Sequence, residues 1–154
     1  MPEIVSPLVA RKRAMRADLL SRLSRLEPAR IQAASDAVTE RLVASPWWRE
    51  AQWVFAYHAM PAELQTEKII ARARREGRQV AIPRIEGQEL AFYRFQTDEG
   101  RLQAHRYGLL EPGPDWVPVP LEGLAARRVL ILAPGLAFDR RRRRLGRGKG
   151  FYDR

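Results

Sequence analysis

The fold of this chain is decided by residues 53–83, WVFAYHAMPAELQTEKIIARARREGRQVAIP. The segment begins with an apolar and aromatic run, residues 53–57, which is typical of a buried strand. A loop follows, and Thr66 is then placed to cap a helix that Gly77 would end. A second apolar run lies at residues 80–83. The order strand, helix, strand at this length predicts two parallel strands joined by a right-handed crossover.

Two helices are predicted before this unit. Apolar residues at helical spacing indicate the first, from Val5 to about Leu26. Pro28 suits the first turn of the second helix, and Ser45-Pro46 ends it. The stripe that this second helix is expected to bury consists of Ile31, Ala34, Val38 and Leu42.

The segments that follow complete the predicted sheet. Alternation over residues 90–95 indicates a strand exposed on one side, and the prolines of residues 112–128 indicate an extended surface connection. The most apolar run, residues 129–133, predicts a central parallel strand. Residues 151–154 look like the first turn of a helix. We therefore expect a single domain, residues 1–154, of the α/β class. Its architecture would be three-layered, with helices on both faces of an open, largely parallel, Rossmann-like sheet.

Composition excludes several kinds of site and indicates an anionic partner. The chain has no cysteine, which excludes a disulfide scaffold, a thiolate nucleophile and a cysteine-ligated metal. No apolar run approaches the roughly 18 residues of a membrane span, so we expect no membrane partner. The formal net charge is +10, and 25 of the 28 basic residues are arginine. Charge of this kind suits nucleic acid, a nucleotide or another phosphorylated or carboxylated small molecule.

Ligands of open parallel sheets bind beyond the carboxyl ends of the strands, which draws attention to the loops after Tyr57 and after Ala133. The second of these leads into residues 144–153, RLGRGKGFYD. Glycines at alternate positions let backbone N–H groups turn toward an anion, and the neighbouring cations add charge. The helix expected to follow would offer its N-terminus to the same phosphate. A flexible basic turn exposed to solvent is the alternative interpretation.

Three smaller groups of residues each have a functional and an ordinary interpretation. Lys12 and Arg16 lie one helical turn apart, so they are suited to gripping a polyphosphate or belong to a solvated helix face. Glu63 is suited to accepting hydrogen bonds from the N–H groups of a heterocycle, or it is a simple loop carboxylate. Asp153 is suited to holding Mg²⁺ against phosphates, or it is a carboxylate at a helix start.

Two further pairs of residues stay open in the same way. His58 and His105 are more often loop histidines with satisfied hydrogen bonds than catalysts. Tyr107 and Trp116 either stack on a ring or cover the core.

Six motifs occur in order along nearly the whole chain. They are Lys12-Arg13-x-x-Arg16, Glu63-x-x-Thr66-Glu67-x-Ile69-Ile70, Gly77-x-x-Val80 with Ile82-Pro83, Tyr107-Gly108-x-x-Glu111-Pro112, Pro134-Gly135-Leu136-Ala137-Phe138-Asp139, and Arg144-Leu145-Gly146-x-Gly148-x-Gly150-x-Tyr152-Asp153. The last two are specific in combination. Together the six resemble the 5-formyltetrahydrofolate cyclo-ligase family, also called 5,10-methenyltetrahydrofolate synthetases.

The resemblance implies an enzyme that needs ATP and Mg²⁺. It would convert 5-formyltetrahydrofolate to 5,10-methenyltetrahydrofolate with release of ADP and phosphate, by phosphorylation of the formyl oxygen and attack of the folate N10 on the activated carbon. Such a reaction depends on positioning and charge neutralisation more than on a protein nucleophile. A chain without cysteine or a catalytic triad fits that requirement.

The resemblance also implies roles for individual residues. Catalysis is assigned to Lys149 and Arg147, and Mg²⁺ to Asp153. ATP is assigned to Lys12, Arg13 and Arg16 on one side and to Arg144, Leu145, Gly146, Arg147, Gly148, Lys149, Gly150, Phe151 and Tyr152 on the other. The folate substrate is assigned to His58, Met60, Glu63, Tyr107, Gly148, Lys149, Gly150 and Phe151.

The sequence departs from the family pattern in two places. Residues 140–144 are five consecutive arginines, and Arg142 stands where family members usually have a glycine. Family members also continue beyond residue 154 for roughly a further strand and helix, so we expect a domain that lacks those two elements.

Two other functions stay open beside the cyclo-ligase. One is a basic module that binds nucleic acid through residues 140–147, and the other is a non-catalytic short paralogue that binds nucleotide or folate. For the cyclo-ligase we expect a cytoplasmic monomer that acts on a small molecule and has no nucleic-acid partner.

Overall fold

A computed structural model of the protein describes residues 6–95, 102–106, 108–124 and 127–153. The helices are α1 (Pro7–Leu23), α2 (Pro28–Val43), α3 (Pro46–Glu50) and α4 (Glu67–Arg75). The strands are β1 (Trp53–Phe55), β2 (Gln79–Glu86), β3 (Glu89–Arg94), β4 (Leu102–Ala104), β5 (Leu110–Pro112), β6 (Val129–Ile131), β7 (Ala137–Phe138) and β8 (Arg144–Leu145).

The main sheet has four strands in the order β3-β2-β1-β6. Strand β1 pairs in parallel with β2 on one side and with β6 on the other, so that Val54 lies opposite both Val80 and Leu130. Strand β3 returns antiparallel to β2. The sheet is therefore mixed and mostly parallel with helices on both sides, and the predicted α/β class is confirmed. The remaining strands form two separate antiparallel pairs, β4-β5 and β7-β8.

One face of the sheet carries the larger part of the core. Val54 of β1 is fully buried and packs with Val80 and Ile82 of β2. Residues from α3 and α4, including Trp48 and Ile69, cover this face, and the indole N–H of Trp48 donates to Glu76 at 2.9 Å. Burying apolar side chains of this size stabilises the fold by roughly 1.5–3 kcal/mol each.

The opposite face is covered in part by an extended segment. Phe55, Ala81 and Trp53 form its buried centre, and Val119 packs onto them. The proline-rich connection predicted over residues 112–128 supplies that cover in its described part. Trp116 also lies in this connection and is only 6% exposed, packed in the core against Phe95.

The buried face of α2 differs from the prediction. Ile31 is buried as expected, but Ser35 and Thr39 are buried in place of Ala34 and Val38, and Val38 is 41% exposed. The two hydroxyls donate within the helix, from Ser35 to the Ile31 carbonyl at 2.7 Å and from Thr39 to the Ser35 carbonyl at 2.8 Å. Because each buried hydroxyl is already paired, it costs little to bury, and a polar residue can occupy the inner face.

Two expectations about the second half of the chain are also wrong. Strand β6 was expected at the centre of the sheet, but among the described residues only β1 neighbours it, and Ile131 is 54% exposed. Residues 151–153 form a turn rather than a helix start, with the Asp153 N–H donating to the Gly150 carbonyl at 3.1 Å. Within the described ranges, no helix is long and apolar enough to cross a membrane.

Candidate active site

A cavity of about 420 Å³ lies beyond the carboxyl ends of β1 and β6 and alongside the second half of β2. Two loops meet there, as the strand order requires. We name residues 58–66 the β1 loop and residues 144–153 the glycine loop. The cavity-lining residues from the rest of the chain include Arg16, Tyr57, Pro83, Ile85, Leu90, Leu109, Leu110, Glu111, Pro134 and Gly135.

The β1 loop is anchored to the core at its end. Thr66 is fully buried, and its hydroxyl donates to the Tyr57 carbonyl at 2.6 Å. Thr66 stands at the N-cap of α4 as predicted, but its side chain makes no capping hydrogen bond. The Tyr57 hydroxyl in turn donates to the Leu64 carbonyl at 3.1 Å. The loop is therefore closed on itself by side-chain hydrogen bonds.

Glu63 points its carboxylate into this closed loop and toward the cavity. Its Oε2 accepts the Met60 N–H at 3.0 Å, and its side chain is only 14% exposed. Its Oε1 faces the guanidinium of Arg147, with Nε at 3.2 Å. These two residues are 84 positions apart in sequence, so this ion pair joins the β1 loop to the glycine loop.

The glycine loop is held mainly by arginines. Arg16 of α1 donates from Nε to the Gly146 carbonyl at 2.9 Å, and Arg144 donates from Nη1 to the Pro134 carbonyl at 2.8 Å. The second guanidinium nitrogen of Arg144 pairs with Asp153. The loop is thus tied to α1, to the end of β6 and to its own last turn.

Two glycines of this loop adopt backbone conformations that side chains disfavour. Gly148 has φ +99° and Gly150 has φ +72°. A Cβ at position 148 would lie 3.3 Å from Cζ of Arg16, so the loop and α1 approach each other closely there. Arg142 is the one described non-glycine residue with positive φ, at 63°, and it stands in the turn that leads into the loop.

Two tyrosines form a wall of the cavity. Burial raises the pKa of Tyr57 well above its usual range, and the charge of Glu63 adds to the shift. Burial likewise raises the pKa of Tyr152, with contributions from Tyr57 and Glu63. Both phenols are therefore neutral at physiological pH, so they are suited to contacting a ring and not to acting as bases.

Most of the residues predicted for the site do line this one cavity. They are Arg16, His58, Met60, Glu63, Arg144, Gly146, Arg147, Gly148, Lys149, Gly150, Phe151, Tyr152 and Asp153. Lys12 and Arg13 lie on the exposed surface of α1 and do not line it, and Leu145 belongs to β8 beside it. Tyr107 lies outside the described residues.

The apolar half of the lining was given no ligand-binding role from the sequence, although Pro83 was part of a motif. Pro83 and Ile85 belong to β2, and Leu109 and Leu110 flank the start of β5. Of these, only Ile85 lies near the carboxyl end of a strand of the main sheet, where open parallel sheets bind ligands. Glu111 appeared only as part of a motif, yet it lines the cavity and accepts the Ile85 N–H at 3.1 Å.

The lining suits a ligand with a flat ring and a phosphate chain. The ring would find apolar side chains and the Glu63 carboxylate, and the phosphates would find the cations of the glycine loop and its backbone N–H groups. Among the described residues, no three carboxylates or histidines cluster to hold a metal on their own. Asp153 is a single carboxylate at the cavity wall, which fits an Mg²⁺ ion that takes its other ligands from phosphates and water.

Comparison with known proteins points in one direction. The sequence profile of the 5-formyltetrahydrofolate cyclo-ligase family matches residues 9–154. The Caenorhabditis elegans protein named "Probable 5-formyltetrahydrofolate cyclo-ligase" is 32% identical over 146 residues, which are 88% of this chain and 66% of that protein. The Mus musculus 5-formyltetrahydrofolate cyclo-ligase is 32% identical over 92% of this chain and 71% of its own length.

A solved structure agrees with the sequence relatives. The NMR structure of the Aquifex aeolicus 5,10-methenyltetrahydrofolate synthetase is 27% identical and superposes with a TM-score of 0.75, covering 92% of this chain and 70% of that one. The chain thus spans about two thirds of the length of the relatives it matches.

Proposed function

The chain belongs to the 5-formyltetrahydrofolate cyclo-ligase family, and we propose that it converts 5-formyltetrahydrofolate to 5,10-methenyltetrahydrofolate with consumption of ATP. One observation carries this proposal. A single cavity joins a part-apolar half that holds the Glu63 carboxylate to a glycine loop that holds Arg144, Arg147 and Lys149. A heterocycle and a phosphate chain need those two halves side by side.

The chemistry explains why no protein nucleophile is needed. The formyl oxygen of the substrate is amide-like and is a poor leaving group. Transfer of the γ-phosphoryl group of ATP to this oxygen makes it a phosphate leaving group, and the N10 lone pair then forms the new C–N bond as phosphate departs with that oxygen and N10 loses its proton. The requirement on the protein is to align the two substrates and to neutralise charge.

The glycine loop supplies the charge neutralisation in this proposal. Arg147 and Lys149 are assigned to the phosphate chain nearest the reacting oxygen, and Arg16 and Arg144 flank it. Lys12 and Arg13 on α1 are assigned to the phosphates that lie farther from that oxygen. Asp153, which here pairs with Arg144, would hold Mg²⁺ together with the phosphates, and the ion would offset negative charge on them.

The β1 loop supplies recognition of the folate ring. Glu63 accepts hydrogen bonds from ring N–H groups, and His58 and Met60 line the same side of the cavity. Gly148, Gly150 and Phe151 line the same cavity and are assigned to the other side of the ring. Tyr107 remains the predicted stacking wall.

The experiment is a spectroscopic assay for 5,10-methenyltetrahydrofolate formed from 5-formyltetrahydrofolate, ATP and Mg²⁺. We expect product only when all three are present. Lys149→Ala should weaken ATP binding about tenfold or more, because a hydrogen bond to a charged group contributes roughly 1.5–3 kcal/mol. Lys68→Ala is the matched control, since Lys68 pairs with Asp36 at 2.6 Å on the exposed surface. Absence of any ATP-dependent product would contradict the proposal.

The same proposal gives the net charge of +10 a specific use. ATP and the acidic folate tail are the anions it serves, and the protein works as a cytoplasmic monomer without a nucleic-acid partner. Tight, salt-sensitive binding of an oligonucleotide would favour the basic-module alternative instead.

A further inference from the structure

The side chain of Gln65 bonds to both ends of the turn formed by residues 60–63. Its side-chain nitrogen Nε2 donates to the Met60 carbonyl at 3.0 Å and to the Glu63 carbonyl at 2.7 Å. Both partners are carbonyl oxygens, which only accept, so the nitrogen and not the oxygen of the amide must face them. One amide thus bridges the first and last residues of the turn.

The turn is closed a second time by the residues that Gln65 bridges. The Glu63 N–H donates to the Met60 carbonyl at 2.9 Å, and the Glu63 carboxylate accepts the Met60 N–H at 3.0 Å. Gln65 therefore completes a set of four hydrogen bonds around one short turn. With Oε2 engaged in this way, Oε1 of Glu63 is the oxygen directed at Arg147 of the glycine loop.

Gln65 is itself bonded to helix α2. Its backbone N–H donates to the Ser35 hydroxyl at 2.9 Å, and that hydroxyl donates to the Ile31 carbonyl at 2.7 Å. Ser35 is only 2% exposed. The position of the amide is therefore set by the buried face of α2, and this also explains why a serine occupies that face.

We propose that Gln65 is a positioning residue that aims the Glu63 carboxylate at the N–H groups of the substrate ring. Gln65 does not line the cavity and acts only through Glu63. This inference rests on the proposed function, because it takes Glu63 as the acceptor for the ring. Without the amide, the Glu63 carbonyl loses the Gln65 donor and the Met60 carbonyl keeps only the Glu63 N–H. The turn then gains alternative conformations that misdirect the carboxylate.

Gln65→Met is the test, because methionine keeps the length and packing of glutamine and removes its hydrogen bonds. We expect the Kd of 5-formyltetrahydrofolate to rise about tenfold, because the Glu63 carboxylate is no longer held in the direction that the ring N–H groups require. The Kd of a non-hydrolysable ATP analogue should stay within about twofold. Gln32→Met is the matched control, since the Gln32 amide donates to Asp36 at 2.9 Å on the exposed side of α2.

A double-variant cycle separates positioning from general structural support. If Gln65 acts through Glu63, adding Gln65→Met to Glu63→Gln should weaken folate binding no further. Additive losses, an equal loss of affinity for the ATP analogue, or a Gln65→Met variant that matches Gln32→Met would each overturn the proposal. If Glu63→Gln alone leaves folate affinity unchanged while the assay still gives product, the assignment of Glu63 fails and this proposal fails with it, but the enzyme activity stands.

Discussion

The two loops that meet at the cavity are built in different ways. The β1 loop is held chiefly by neutral donors: the Thr66 hydroxyl, the Tyr57 hydroxyl and the Gln65 amide each donate to a backbone carbonyl. The glycine loop is held by charged groups, chiefly Arg16 and Arg144. The β1 loop is thus bonded to the core, whereas the glycine loop is bonded to guanidinium groups that also line the cavity.

This difference suits the two kinds of ligand. A heterocycle is recognised by the direction of a few hydrogen bonds, which requires a preformed acceptor, and the β1 loop provides one. A phosphate chain is recognised by charge and by backbone N–H groups, and the same arginines that hold the glycine loop are available to it. Changes in the glycine loop should therefore affect ligand binding most, and changes in the β1 loop should affect stability as well.

The largest effect is expected from Gly148→Ala. The new Cβ would impose a strained backbone at φ +99° and would lie 3.3 Å from Cζ of Arg16. The loop of the variant would relax out of this conformation when it is empty and would have to regain it to bind phosphates. Strain of this kind costs about 1–3 kcal/mol, so the affinity for an ATP analogue should fall about 10- to 100-fold. Isothermal titration calorimetry with the ATP analogue measures this affinity.

Gly87→Ala provides the control for that strain. Gly87 has φ +65° in the turn between β2 and β3, and a Cβ there would meet nothing within 4 Å. We expect a similar loss of stability with unchanged nucleotide affinity. Equal nucleotide affinities for the two variants would show that the close approach of Arg16 to position 148 has no effect on nucleotide binding.

A smaller effect, on stability, is expected from Thr66→Val. The substitution keeps the shape of the buried side chain and removes the hydroxyl that donates to the Tyr57 carbonyl at 2.6 Å. Leaving that carbonyl without its donor should lower the free energy of unfolding by about 1–2 kcal/mol, measured by urea denaturation. Ser24→Ala removes an exposed hydroxyl bonded to the Ser21 carbonyl at 2.9 Å and should change stability by less than about 0.5 kcal/mol.

The smallest effect is expected at the entrance to the glycine loop. Arg142 has φ 63°, a conformation that glycine adopts without strain, so Arg142→Gly should raise the free energy of unfolding by about 0.5 kcal/mol. Arg140→Gly should lower it by a similar amount, because position 140 does not have positive φ and glycine adds only disorder to the unfolded chain. Changes of the same sign in both variants would refute the idea that the turn is strained at Arg142.

The sequence allowed prediction of the parts that depend on local pattern. Apolar runs located β1 and β2, Gly77 marked the end of α4, and its φ of +75° agrees. Alternating glycines and cations identified the glycine loop. In each case the residues that cause the structure are close together in sequence, so a local pattern is enough to predict it.

The parts that could not be predicted depend on residues far apart in sequence. The Arg147–Glu63 pair spans 84 positions, and no periodicity encodes such a contact. The buried face of α2 was missed because Ser35 and Thr39 look like surface residues until their hydroxyls are seen to bond within the helix. Gln65 carried no motif at all, because its role is to serve a neighbour rather than a ligand.

The placement of the four tryptophans has a practical consequence for spectroscopy. Trp48, Trp53 and Trp116 are buried in the core, Trp47 is 72% exposed, and none of the four lines the cavity. Indole emission should therefore follow unfolding of the core while responding little to a molecule bound beside Tyr57 and Tyr152. The two processes can be recorded independently on one sample, one by fluorescence and the other by heat or absorbance.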